Sequence, residues 1–395
     1  MSGLKEQFNE VINRTGTNSL KWDMLNERFG SDEILPLWVA DMDFRAPEPV
    51  LKALKDKIDH GIFGYPAHAK SLDLAVQSWL KRRYDWKVDE NAFVYTLGVV
   101  PALSYLIQTF TEPGDEIIIQ TPVYYPFYDV IEKNNRTIIR NPLKMEDLRF
   151  EMDFEQLEAS ISSQTKMLLL CHPHNPGGRV WKRDELEKLV SICKKHNIYI
   201  VSDEIHADLL YKGQKHIPIA SIDEEMKDRI FTCLAPSKTF NLAGMQASYV
   251  VIEDAKKRLE FKKHLALTFT GMNNSFAEVA MEAAYKGGEE WLQHLMDYIE
   301  DNYKLVVDTL SKSMPKIKWM QPEGTYLLWL DFSELGMTPS ERKTWLIEEA
   351  KVGFNHGSMF GEEGSQFERM NLACSASTIK EAMQRLQNAY EQKGL

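Results

Sequence analysis

Lys238 stands in the run Ala235-Pro236-Ser237-Lys238-Thr239-Phe240-Asn241-Leu242-Ala243-Gly244, directly after the apolar stretch Ile230-Phe231-Thr232-Cys233-Leu234. That stretch reads as a buried strand. A lysine at its mouth is drawn toward the neutral amine, because burial disfavours the ammonium form. A neutral amine is a nucleophile that can form a Schiff base with an aldehyde. Standing alone, the motif is better explained as a solvated loop, since the chain has 47 lysines and arginines. Upstream residues reverse that balance.

Gly98-Val99-Val100-Pro101 joins a strand to a helix. The first N–H groups of a helix are unpaired and lie at the positive end of its dipole, which suits a phosphate. Most such turns bind nothing, so this signal needs company. Pro122-Val123-Tyr124-Tyr125-Pro126 puts an aromatic ring where it can stack on a planar group, or simply line the core. His172-Pro173-His174-Asn175-Pro176-Gly177-Gly178 is a tightly fixed turn that offers the Asn175 amide to a phenolate oxygen. Its two histidines raise a metal site, which the closing prolines and the lack of acidic neighbours disfavour, and no metal is expected. Asp203, in Val201-Ser202-Asp203-Glu204-Ile205-His206, is a carboxylate at a strand end. It needs a cation or strong hydrogen bonds, and a protonated ring nitrogen would serve; a helix N-cap is the plain alternative. Arg369, within Gln366-Phe367-Glu368-Arg369-Met370-Asn371-Leu372, carries the planar fork that suits a carboxylate, or a surface salt bridge.

The elements that must hold these residues are legible from periodicity. Apolar runs at 93–95, 116–120, 167–171, 198–202, 230–234 and 249–252 predict strands. Between them, residues 101–110 place Leu103, Leu106, Ile107 and Phe110 on one helical face, and 184–196 do the same with Leu186, Leu189, Val190 and Cys193. Alternating strands and helices predict an α/β fold with a largely parallel sheet. Ligands bind beyond the carboxyl ends of such strands, where the candidate residues fall. The pattern changes near Gly287-Gly288, where a long polar helix over 291–311 and a strand over 326–330 follow. The expected organisation is an N-terminal arm over 1–45 packed with a small domain, a large domain over 46–286, and a small α/β C-terminal domain over 287–395.

A chain of 395 residues with 44% hydrophobic and 27% charged residues has the composition of a soluble globular protein. The net charge of −11 argues against a nucleic-acid surface or a lipid-binding basic tract, and no run is long enough to span a bilayer. Cys171, Cys193, Cys233 and Cys374 are widely spaced, without a C-x-x-C pair, which favours buried reduced thiols. The N-terminus has no apolar signal core, so a cytoplasmic location is expected.

Taken in order, phosphate turn, aromatic, Asn-Pro-Gly, Asp, Ser-Lys and distal Arg resemble the fold-type I pyridoxal 5'-phosphate (PLP) enzymes, the aspartate-aminotransferase superfamily, over nearly the whole chain. Leu37-Trp38-Val39-Ala40-Asp41-Met42-Asp43-Phe44, His60-Gly61-Ile62-Phe63-Gly64-Tyr65 and Ser202–His206 look more narrowly like the MalY/PatB-type cystathionine (cysteine-S-conjugate) β-lyases. That resemblance implies a large PLP-binding domain with a mostly parallel sheet and a smaller α/β domain. It implies that Lys238 holds PLP covalently and acts as the base at the substrate Cα. Asp203 pairs with the ring nitrogen, Asn175 with the phenolic oxygen, Tyr124 stacks, and Val99, Val100 and Ser237 hold the phosphate, with His206 in the same cofactor set. Arg369 takes the substrate carboxylate, with Trp38 and Tyr124 beside the substrate. Tyr65 reaches the phosphate of a neighbouring subunit, which requires a homodimer. Eight residues after Lys238, where many transaminases place an arginine on the phosphate, this chain has Gln246. The implied activity is α,β-elimination from L-cystathionine or a related cysteine S-conjugate, releasing a thiol, pyruvate and ammonia. An aminotransferase, or a relative with an added regulatory binding role, are the alternatives.

Overall fold

Strands β4 (Thr165–Cys171), β5 (Tyr199–Asp203) and β6 (Ile230–Leu234) form the centre of a seven-stranded sheet, and nearly all their side chains are buried. The computed structural model describes residues 6–271 and 273–395. The sheet also contains β1 (Phe93–Thr96), β2 (Glu116–Ile119), β3 (Thr137–Arg140) and β7 (Ser248–Val251), in the order β1-β7-β6-β5-β4-β2-β3. Only β7 runs antiparallel to its neighbours.

Successive side chains of a strand point to opposite faces. Ile117, Ile119, Met167, Leu169 and Cys171 therefore pack on one side with Leu103, Leu106 and Ile107 of helix α1 (Val99–Phe110). Ile118, Leu168, Leu170 and Ile200 pack on the other with Leu186, Leu189 and Cys193 of helix α2 (Arg183–Lys195). Burial on both faces explains why these strands read as continuous apolar runs rather than alternating ones.

The registers set the site. Cys171 lies opposite Asp203, and Asp203 lies opposite Cys233, so β4, β5 and β6 end flush. The residues that follow each strand consequently share one edge.

A second sheet contains β8 (Lys318–Trp319), β9 (Leu327–Asp331), β10 (Asn355–His356) and β11 (Phe367–Asn371), all antiparallel, in the order β8-β9-β11-β10. Arg369 is central in it, opposite Trp329 on one side and Asn355 on the other. Helix α3 (Glu289–Ser313) begins where the sequence changes character, directly after a helix over Ser275–Gly287.

The N-terminal segment joins the two sheets. Leu35–Pro36 pairs in parallel with Val352–Gly353. The Asn371 side chain donates to the Val39 and Asp41 carbonyls, both at 2.6 Å. From the large sheet's side, the Asn241 side chain donates to the Met42 and Phe44 carbonyls and accepts from the Met42 N–H. Residues 39–44 are thus fixed from both directions. Residues 1–5 of the expected arm lie outside the described residues.

Candidate active site

The flush strand ends open into a cavity of about 200 Å³, lined by Val99, Val100, Tyr124, Asn175, Asp203, His206, Ser237 and Lys238, together with Ala40 and Gln246. Eight of the sequence candidates therefore converge. Arg369 joins them through Asn175. Trp38 contributes a backbone carbonyl, while its ring packs against Phe29 and Arg28. Tyr65 does not reach the cavity of its own chain; it is 96% exposed.

Lys238 lies on a one-turn helix, Pro236–Thr239, that starts right after β6. Its Nζ donates to the Ala40 carbonyl at 2.6 Å. Burial and the positive charge of Arg369 push its pKa down to about 8, against the opposing pull of Asp41 and Asp203. The nucleophilic amine is thus far more populated near neutral pH than in an exposed lysine.

Asp203 is buried, and its Oδ1 accepts from the Ile205 N–H at 3.1 Å. The helix N-cap is absent: a turn and not a helix follows Asp203, and that hydrogen bond uses one oxygen only. Burial lifts the carboxyl to about 7, partly offset by that hydrogen bond and by Lys238. No cation lies within 4.0 Å of it among the described residues. A carboxylate in this position would be stabilised by a protonated ring nitrogen in the cavity.

Asn175 accepts from Arg369 Nη1 at 2.9 Å through its Oδ1, which leaves its amide N–H groups for another acceptor. Tyr124 is anchored by its backbone, donating to the Asn175 carbonyl at 3.0 Å. His206 is buried with Nδ1 unpartnered, and burial together with the Lys238 and Arg369 charges keeps its imidazole neutral. At the opposite end, α1 begins at Val99, and its first bond runs from the Ala102 N–H to the Gly98 carbonyl. The Val99 and Val100 N–H groups therefore face outward as a ready anion site.

Three arginines are buried among the described residues, and they differ in one respect. Arg179 pairs with Glu185 and Glu323, and Arg342 pairs with Glu368. Arg369 has neutral partners only: Asn175, Asn355 and the Trp38 carbonyl. Its Nε has no partner, and the guanidinium lies 4.9 Å from the Phe360 ring centroid. A buried cation without a counter-ion is a binding site for an anion.

The two histidines of the 172–178 turn are structural. His172 Nε2 meets the Ile217 carbonyl and its ring packs at a tilt against His216, while His174 Nε2 meets the Pro122 carbonyl. Burial pushes both to about 3, so both are neutral.

Residues 32–386 match the family described as aminotransferase class I and II. The chain is 45% identical to cystathionine beta-lyase PatB of Bacillus subtilis (strain 168), over 97% of this chain and 99% of that protein. The chain belongs to the class I and II aminotransferases, in their MalY/PatB-type β-lyase branch. Among solved structures it superposes on cystalysin from Treponema denticola, which contains PLP, with a TM-score of 0.95 and 39% identity, covering 98% of this chain and 99% of that one. It also superposes on the PLP-bound C-S lyase from Staphylococcus hominis, with a TM-score of 0.90 and 32% identity over 97% of each chain.

The cavity fits the cofactor of this family on its own chemistry. It has a low-pKa amine for an aldehyde, a buried carboxyl lacking a cation for the ring nitrogen, a free amide beside it, and unpaired helix N–H groups for a phosphate.

Sequence reasoning missed Tyr326 and the Ala40 carbonyl. The Tyr326 hydroxyl donates to that carbonyl at 2.8 Å, so Lys238 and Tyr326 share one acceptor. Tyr326 is hidden in the sequence as one more apolar strand residue, and a backbone carbonyl carries no residue-type signal. Asn355 is a further direct partner of Arg369.

Proposed function

We propose that this PLP-dependent carbon–sulfur β-lyase cleaves cysteine thioethers such as L-cystathionine, with Lys238 as the base and Arg369 as the substrate anchor. The observation that carries the reading is the pairing of a buried guanidinium without a counter-ion with a low-pKa amine in the same cavity. An α-amino acid offers the matching groups: a carboxylate for Arg369 and an acidic Cα–H for Lys238.

Bound in the cavity, the cofactor supplies an electron sink for the pair left at Cα when its proton departs. Each residue's part follows from its place. Arg369 binds the carboxylate and fixes the orientation of Cα. Asp203 holds the positive charge of the ring nitrogen. The Asn175 amide N–H groups donate to the phenolic oxygen, and Tyr124 stacks over the ring. Val99, Val100 and Ser237 hold the phosphate, and His206 lines the same site as a neutral imidazole. Lys238 would hold the cofactor through its aldehyde carbon, and its Nζ would take the Cα proton. A thiolate leaves from Cβ, and hydrolysis of the remaining fragment yields pyruvate and ammonia. Carboxylate docking also neutralises the Arg369 charge that depresses Lys238, so the base strengthens as the substrate seats.

A second copy of the chain completes the assembly in this reading. Tyr65 is 96% exposed, among the exposed apolar side chains Ile58, Ile62 and Phe63. An apolar surface of this kind favours burial against a partner, and Tyr65 would extend to the neighbouring subunit's phosphate. No helix is long and apolar enough to cross a membrane among the described residues. The four free buried cysteines fit a reducing cytoplasm.

The test is a product assay. Purified protein is mixed with L-cystathionine, with S-alkyl cysteines, and with an amino-acid/2-oxo-acid pair. The expected result is pyruvate and free thiol in equal amounts. Pyruvate without thiol, or amino-group transfer alone, would overturn the lyase assignment in favour of an aminotransferase.

A further inference from the structure

The motif Ala40-Asp41-Met42-Asp43-Phe44 is distinctive in the sequence, yet the chemistry proposed above uses neither of its carboxylates. Both are engaged by residues that precede them in the chain. Lys21, whose side chain is fully buried, pairs with Asp43 at 2.7 Å and lies 3.8 Å from Asp41. Arg14 pairs with Asp41 at 2.7 Å and with Asp43 at 2.6 Å, and donates to the Met42 carbonyl at 3.2 Å. The Trp22 indole N–H adds a bond to Asp43 at 3.0 Å. Burial pushes the Asp43 carboxyl up, but Lys21, Trp22 and Arg14 together hold it below its ordinary value. Two cations and two anions thus form a charge-balanced cluster.

Next to this cluster are two backbone carbonyls, two residues apart, and each meets one of the reactive side chains. The Trp38 carbonyl accepts from Arg369 Nη2 at 3.1 Å, and the Ala40 carbonyl accepts from Lys238 Nζ at 2.6 Å. Lys238 follows β6 of the large sheet, whereas Arg369 lies on β11 of the small one. One short segment therefore relates the two side chains to each other. The cluster reaches Trp38 as well, since its indole N–H donates to the Lys21 carbonyl at 3.2 Å. Buried ion pairs add little net stability over apolar side chains of the same size, so their use here is in fixing geometry.

We propose that Lys21 and Arg14 are positioning residues: through Asp43 and Asp41 they hold residues 38–40 so that one segment sets both the base Lys238 and the carboxylate anchor Arg369. The inference rests on the roles assigned to those two side chains. The rate of proton removal depends on where base and anchor stand relative to Cα, and small displacements are costly.

The experiment replaces the buried pair together, Lys21→Met with Asp43→Asn, so that the net charge is unchanged and Asp43 is not left as an unpaired anion. Two quantities are read: kcat and KM for pyruvate release from L-cystathionine, and the Lys238 pKa in cofactor-free protein, from peptide-mapped, pH-dependent modification by an amine-reactive reagent. In the double variant kcat should fall and KM rise, lowering kcat/KM by about tenfold. A displaced Ala40 carbonyl no longer favours the ammonium, so the lysine pKa should also fall below about 8. Arg14→Gln leaves the Lys21–Asp43 pair in place and serves where the double variant does not fold. It should lower kcat/KM by a smaller factor, and Arg14→Lys, which returns a cation, should recover part of the loss. A folded double variant with wild-type kcat/KM and an unmoved lysine pKa overturns the proposal, as does wild-type kcat/KM in Arg14→Gln, while the lyase assignment stands. A wild type that releases no pyruvate overturns the lyase assignment, and the lysine titration, which needs neither cofactor nor substrate, then decides the proposal alone.

Discussion

A buried guanidinium that meets only neutral acceptors is destabilising until an anion arrives, and Arg369 is in that state. Burial lowers its pKa to about 10, still far above neutrality, so it stays charged. Its charge acts in two directions: in the proposed function it would draw in the substrate carboxylate, and it depresses Lys238. Arg369→Ala should therefore have two effects. Catalytic efficiency should fall on the order of 100-fold, because charge-assisted hydrogen bonds to the carboxylate are lost. In cofactor-free protein, the Lys238 pKa should rise from about 8, which pH-dependent modification by an amine-reactive reagent would follow. A fall in activity with an unmoved lysine pKa would show that the two groups do not sense each other. Lys238 itself was readable from sequence because residue type and strand end coincide. Its environment was not readable, since Ala40, Arg369 and Tyr326 come from three distant segments.

Elements place these residues, and the one-turn helix carrying Lys238 is the critical one, since four residues cannot hold themselves in place. Thr239, next to the lysine, donates to buried Asp208 at 2.9 Å. Asp208 also accepts from Trp79 and from Tyr84, both on the helix Lys70–Tyr84. This carboxylate ties the lysine's support to a long, well-packed element. Asp208→Ala strands several buried donors, and should cost about 3 kcal/mol or more of unfolding free energy by urea titration; a loss below ~1 kcal/mol would show that the network is dispensable. The central strands were visible in the sequence because both their faces are buried, so apolar runs of five to seven residues stood out. Helix α1 was read to start at Pro101, yet it starts at Val99. Proline is tolerated throughout the first turn, where no donor is lost, so it marks that turn and not the first residue. Asn241 left no trace as the clamp on Met42 and Phe44, because that pairing spans 199 and 197 residues of chain.

For the whole molecule, cofactor and stability are linked through two groups that the cofactor-free fold holds away from their ordinary charge. Asp203 is raised to about 7 from 3.8. Between those values the folded state binds more protons than the unfolded state, so stability falls as pH rises from about 4 to about 7. Lys238 is lowered to about 8 from 10.5. There the unfolded state binds more protons, so stability rises as pH climbs from about 8 to about 10.5. Cofactor-free protein therefore carries its largest penalty from this pair between about pH 7 and 8. In the proposed function PLP would remove both causes, by giving Asp203 a cation and converting the Lys238 amine into a covalent link. Titrating groups remote from the cavity are common to the two forms and cancel in their difference. The gap in thermal midpoint between holo and cofactor-free protein, at fixed cofactor concentration, should thus peak near pH 7 to 8 and narrow on both sides. Each pH unit inside either window changes the underlying difference in stability by at most about 1.4 kcal/mol per group. Asp203→Asn should flatten the acid limb and keep the alkaline one, and Lys238→Ala should do the reverse. A gap that stays level from pH 5 to 10, measured by scanning calorimetry of both forms, would mean that neither group is strained in the empty cavity and that the fold tolerates a missing cofactor without electrostatic cost.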